Sequence, residues 1–185
     1  MPKNHKLASL AINLPLLAFV GAAYALQPTE VADSEYIAKA MTAAPLEIAT
    51  AATIVRLKSG TEQMLRKGAN KYTCMVGNEG PMCMGPIATE WVRAWQKHTS
   101  PPNELGFVYM LSSSDTGVST IDPWATRPTA GNHWVKTGPH VMMVGLAVRR
   151  MSFPRALDPD PTKPYVAWSG TLYEHVVLPL NRSSP

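Results

Sequence analysis

Short apolar runs, broken every few residues by glycine- and proline-containing turns, are the feature that most restricts this chain. Thr53–Lys58 is closed by the turn dipeptide Ser59-Gly60, Thr61–Arg66 follows, and Lys67-Gly68-Ala69-Asn70 separates that run from Lys71–Val76. Runs of this length between Gly-containing turns predict a meander of strands. Leu105–Leu111 is a further strand candidate, and Val141–Val148 is the continuous apolar run expected of a buried central strand. Tyr165–Trp168, the turn-like Ser169-Gly170 and His175–Leu180 predict a closing hairpin. Two stretches carry a helical period instead. In Thr29–Ala44, Ile37, Ala40, Met41 and Ala44 recur at i, i+3, i+4, i+7, and Pro45 ends the helix or opens a further turn through Leu46–Ala52. In Pro86–His98, Pro86 suits the first helical position and Ile87, Trp91, Trp95 and His98 share one stripe. The sum is an α+β fold: a single domain with a mostly antiparallel sheet of about seven short strands and two main helices packed on one face. No β-α-β alternation appears, which disfavours a parallel doubly wound sheet.

The first residues read as an address rather than as part of this fold. Met1–Lys6 carries Lys3 and Lys6 and no acid, Leu7–Ala23 is almost wholly apolar but interrupted by Pro15, and Ala23-Tyr24-Ala25 offers small residues where a signal peptidase cuts. This predicts a cleaved signal peptide over 1–25, a globular domain over 26–185, and a periplasmic or secreted destination. The apolar stretch is slightly short for a membrane span and no later segment approaches that length, so no stable anchor is expected after cleavage. The charge balance changes with the leader removed. The chain holds 17 Lys and Arg against 13 Asp and Glu, for a net +4 and a pI near 9.1, but two of those lysines lie in the leader and the remainder carries only +2. The remaining charges are interspersed, which argues against nucleic acid as a partner. At 45% hydrophobic and 16% charged residues, disordered and coiled-coil classes are also excluded.

Cys74 and Cys83 are the only cysteines. In an exporting route they predict a disulfide pinning the turn-rich loop Met75–Met82 between a strand and a helix. Their spacing matches no zinc pattern. Met75, Met82 and Met84 nearby raise a soft-metal alternative, copper held by thiolates and thioethers with the cysteines reduced. Otherwise no metal or cofactor is expected.

No nucleophile elbow, phosphate loop, zinc-protease helix or EF-hand loop is present. Asp158-Pro159-Asp160 reads as a solvated turn rather than a Ca²⁺ loop. Trp91 and Trp95 resemble a cofactor platform, but two large rings one turn apart more often pin a helix to a sheet. The informative polar residues sit beside apolar strings. His140 opens one predicted strand behind Gly138-Pro139, and His175 opens another behind Tyr173-Glu174. If these strands are neighbours, the two imidazoles share a sheet edge, with Glu174 or Tyr173 fixing one ring. His133-Trp134, in the long irregular stretch 112–138, either covers that site or anchors its loop. The candidate catalytic residues are therefore His140, His175 and Glu174, and the candidate ligand-binding residues are His133, Trp134, His140, Tyr173 and His175.

Lys71–Met75, Pro81–Cys83, Tyr109–Leu111, the Asp122-Pro123 loop, Trp134–Met142 and Tyr165–His175 together resemble a family of small secreted bacterial proteins of unknown function. The resemblance implies a bacterial exported protein and directs attention to the long loop and the two His-bearing segments. It supplies no catalytic residues, and this chain is poorer in acids between its cysteines than the family pattern. The leading expectation is a non-enzymatic small-molecule-binding or accessory domain. The alternatives are a hydrolase or lyase with His140 or His175 as general base, and the soft-metal protein above. Protein partners are not legible.

Overall fold

The computed structural model describes residues 28–112 and 116–180, so the predicted leader, 1–25, lies outside the described residues. The chain opens with α1 (Pro28–Met41) and a short α2 (Leu46–Ala49), separated at Pro45. It continues through β1 (Thr53–Lys58), β2 (Thr61–Arg66), β3 (Thr73–Gly77), β4 (Gly80–Met84), α3 (Pro86–Gln96) and β5 (Gly106–Met110). A two-stranded ribbon of β6 (Val118–Ser119) and β7 (Trp134–Val135) follows, then β8 (His140–Val144), a 3-10 turn (Leu146–Arg150), β9 (Tyr165–Ala167) and β10 (His175–Pro179). Eight strands form one sheet in the order β2-β1-β3-β4-β5-β8-β10-β9, with every pair antiparallel except β1 and β3. The α+β architecture, the β1–β2 hairpin and the β9–β10 hairpin are as the sequence predicts. Ser59 and Gly60 both take positive φ (50° and 78°), the backbone that matches strand twist in a two-residue hairpin.

Four expectations change. The meander does not continue past β2, because β3 pairs with β1 in parallel through Thr53–Thr73 and Ile54–Cys74. The segment between β2 and β3 folds back over the start of β1. Ala69 and Asn70 N–H both donate to the Ala51 carbonyl, Thr53 N–H donates to Tyr72, and Asn70 Nδ2 reaches Ile48. Gly68 makes that crossing possible, since a Cβ there would lie 2.3 Å from the Thr53 nitrogen.

Residues 75–82 are not a loop between a strand and a helix. They form a hairpin with only Asn78 and Glu79 at its tip, and the Cys74–Cys83 disulfide is a rung between directly paired residues of β3 and β4. Pro81, which cannot donate to a ladder, lies beyond the stretch where β5 pairs with Cys83 and Met84. The apolar run Val141–Val148 is a strand only to Val144. Gly145 takes φ 103°, where a Cβ would lie 2.0 Å from the Glu104 carbonyl oxygen, and the chain turns into the 3-10 segment.

Finally, the helices cover opposite faces rather than one. Strand residues alternate sides, so Cys74 and Cys83 pack with Ala40, Ala43 and Ala49 from the α1–α2 side. Met75 and Met84 instead pack with Ala88, Trp91 and Val92 of α3. Gly106 lets α3 approach, because a Cβ there would lie 2.6 Å from the Ala88 nitrogen. Trp91 is 2% exposed and stacks on Trp168 at 6.0 Å, so the tryptophan stripe is core.

Candidate functional site

Strand register decides which polar residues meet. Met110 lies opposite His140, Val108 opposite Met142, Val177 opposite both Met142 and Tyr165, and His175 opposite Ala167. With a period of two, Met110, His140, Met142, Tyr165 and His175 all project from the α3-side face. The β6–β7 ribbon lies over this part of the face and closes a cleft against it, contributing Val118 and Val135, with Thr137 just after it. Glu79, at the tip of the β3–β4 hairpin, forms part of the wall. The space open to the centre of a water molecule is about 30 Å³, room for about two waters.

The ribbon is held by its own polar network. Trp168 Nε1 donates to the Ser119 carbonyl at 3.0 Å, and Ser119 Oγ donates to Asn132 at 2.6 Å while accepting from Ile121 and Asp122 N–H. Asn132 Nδ2 in turn donates to Arg127, and its Oδ1 accepts from Thr129. The stretch that looked irregular in sequence is therefore a tied-down cover, positioned by side-chain hydrogen bonds rather than by a long ladder.

Both imidazoles are desolvated and fixed. His140 Nδ1 donates to the Gly138 carbonyl at 2.7 Å and His175 Nδ1 to the Tyr173 carbonyl at 3.1 Å, so each ring carries its proton on Nδ1 and offers Nε2 as an acceptor. Burial pushes His140 below its usual range, against the opposing carbonyl bond. Burial pushes His175 further, down to about 4, because Trp91 and Trp168 meet its ring edge-on at 5.5 and 4.6 Å. Glu79 keeps partial exposure as a residue, yet its carboxyl is set deep enough that burial pushes it up to about 7. Burial also raises the Tyr165 phenol to about 12, with Glu79 adding to the effect; its hydroxyl meets Thr137 Oγ1 at 2.6 Å. Clustered groups moved toward their neutral forms mark a site where ligand or chemistry is accommodated.

β8 and β10 are neighbours but antiparallel, with His140 opposite Pro179 rather than near His175, so the two imidazoles do not share a sheet edge as expected. Both still line the cleft, and the other expected residues lie outside it. Glu174 points away, accepting from Gly170 N–H at 2.9 Å and pairing with Arg155 at 3.4 Å. Tyr173 donates its hydroxyl to the Thr99 carbonyl at 2.8 Å and packs edge-on against Trp91. His133 pairs with Asp158 at 2.9 Å and Trp134 Nε1 donates to Thr116 at 2.7 Å, so both anchor the covering loop. Asp160 is spent on Thr162 and Lys163, apart from Asp158. Both cysteine sulfurs are in the disulfide, which removes the thiolate form of a soft-metal site.

Sequence reasoning missed Glu79 and Tyr165. Glu79 lay in what read as an exposed loop, and Tyr165 opened a strand without a polar neighbour to mark it. Among the described residues no group of three or more His, Cys, Asp or Glu is placed to hold a metal ion, and no helix is long and apolar enough to cross a membrane. No family model, curated protein or solved structure matches this chain.

Proposed function

We propose that this is an exported bacterial protein that binds a small polar molecule in the cleft beneath the β6–β7 ribbon, without chemical turnover. One observation carries the reading: Glu79 from the β3–β4 turn and His140, Tyr165 and His175 from three strands line one largely apolar cleft. Small-ligand sites have this composition, an apolar wall with a few placed polar groups. Export is supported by the signal-like leader and by the disulfide, a bond that persists in oxidising compartments. The test is a thermal-shift and equilibrium-dialysis panel of small amines, alcohols, amides, acids and sugars on the disulfide-bonded chain. At least one compound should stabilise it, and Val135→Phe, which fills the cleft, should abolish that response. No response across the panel, or a response that survives the filled cleft, contradicts the reading.

A second reading, a hydrolase or lyase, draws support from the carboxyl held at about 7 beside neutral imidazoles. A group with that value suits general acid–base work at neutral pH. On this reading Glu79 joins His140 and His175 as candidate proton carriers, and turnover of any panel compound, lost in Glu79→Gln, favours it over simple binding.

A further inference from the structure

The two edges of the main sheet are finished differently. β9 closes one edge and is buried along its length, with Val166 N–H donating to the Pro154 carbonyl. β2 forms the other edge, and Thr61 through Met64 are all exposed, Met64 to 61%. The direction of its backbone groups follows from β1. Thr53 N–H donates to Tyr72, and the Val55 carbonyl accepts from Tyr36 Oη, which also accepts from Val76 N–H on β3. Thr53 and Val55 therefore turn toward β3, and the alternate residues Arg56 and Lys58 turn toward β2. The register turns Gln63 and Thr61 inward to meet them. The N–H and C=O of Glu62 and Met64 are left pointing outward from the edge, with no partner among the described residues.

Edge strands ordinarily carry Lys, Pro or free charge that discourages a further strand. Thr61–Arg66 holds no Lys and no Pro, and both of its charges are engaged within the chain. Glu62 accepts from Arg93 at 2.7 and 2.6 Å, one bond to each carboxylate oxygen. Arg66 donates to the Ala49 and Ala52 carbonyls at 2.7 and 2.9 Å. The uncharged Gln63 and Met64 are what the edge presents.

We infer that this edge pairs antiparallel with the same edge of a second copy of the chain, about a two-fold axis through Gln63. That register sets Glu62 opposite the partner's Met64, and Met64 opposite the partner's Glu62, so every outward backbone group gains a bond. An axis through Glu62 would oppose two carboxylates. An axis through Met64 would set Glu62 against the partner's Arg66, whose backbone is paired with Ile54. The strand fits its own reversed copy: amide meets amide at Gln63, and no like charges face each other. The axis stands perpendicular to the sheet, so one continuous sheet carries both clefts on the same side. One short strand per copy makes a contact at the low end of interface sizes, so pairing is expected at about 0.1–1 mM.

The test is sedimentation equilibrium of the disulfide-bonded chain from about 10 µM to 1 mM, with amide hydrogen exchange read over the same range. The mass should rise toward twice that of the chain, and exchange at Glu62 and Met64 should slow in step. Met64→Glu opposes the partner's Glu62 with like charge at both ends and should weaken pairing about tenfold. Met64→Lys opposes it with a cation and should pair at least as tightly as the parent. Urea midpoints of the two variants report whether they fold, and the exchange series on the parent decides the matter without them. A mass that stays constant overturns the inference. Slow exchange of Glu62 and Met64 in the monomer also overturns it, since the chain would then cover its own edge. A dimer weakened equally by both variants, or by neither, overturns the pairing through β2.

Discussion

Glu79→Gln should reshape the pH dependence of stability. In the folded chain the Glu79 carboxyl is raised from 4.5 to about 7. Between those values the unfolded state has released the proton and the folded state has kept it, so stability falls as pH rises. A shift of that size corresponds to about 3 kcal/mol, and the partial exposure of the residue reduces it to about 2–3 kcal/mol. His175 acts with the opposite sign. Its value is lowered from 6.5 to about 4, so between those values the unfolded state holds the extra proton and stability falls as pH drops. The two slopes oppose each other from about pH 4.5 to 6.5, and the unaltered protein should look nearly flat there. Glutamine does not titrate. Urea denaturation of Glu79→Gln should therefore expose a profile that rises by about 2–3 kcal/mol from pH 4.5 to 6.5. Above pH 7 the variant should be more stable than the parent by about 2–3 kcal/mol. Parallel profiles for the two proteins from pH 4.5 to 8 would refute the claim that this carboxyl is buried in the cleft.

Other outcomes follow from the same structure. Gly145→Ala should destabilise by about 3 kcal/mol or more in urea, because φ is 103° and the new Cβ would meet the Glu104 carbonyl oxygen at 2.0 Å; a loss below about 1 kcal/mol would mean the turn after β8 yields easily. The double variant Cys74→Ala/Cys83→Ala should lose about 2.5–3 kcal/mol from loop closure over a separation of nine residues. An unchanged denaturation midpoint would contradict a stabilising rung between β3 and β4.

What the sequence disclosed was local, and what it concealed was non-local. The stripe through Ile87, Trp91 and Trp95 marks α3 because a helical period is visible within three turns. The turns Ser59-Gly60 and Ser169-Gly170 mark hairpins because positive φ favours Gly, with Gly60 at 78° and Gly170 at 82°. The parallel contact of β1 with β3 has no such signal, as it depends on two residue pairs and on backbone bonds from Ala69 and Asn70. The strand Gly80–Met84 was hidden by Gly80 and Pro81, residues that ordinarily signal a turn. The candidate site was half legible. His140 and His175 stand out as polar residues at the head of apolar strings, and antiparallel pairing of β8 with β10 places both on one face. Glu79 enters the cleft only because the hairpin carrying it is pinned by the Cys74–Cys83 rung, a placement no local pattern encodes. Glu174, just before β10, stays out of the cleft because Gly170 N–H and Arg155 hold its carboxylate.

The most direct test of a shared, desolvated cleft is the ¹⁵N spectrum of the two imidazoles in the disulfide-bonded chain at pH 5.5. The account predicts that His175 is neutral there with its proton on Nδ1, that His140 titrates below the usual histidine range with its proton on Nδ1 when neutral, and that a cleft-bound ligand shifts an Nε2 resonance. Two rings charged at that pH, titrating as free histidines do and indifferent to every ligand, would contradict it.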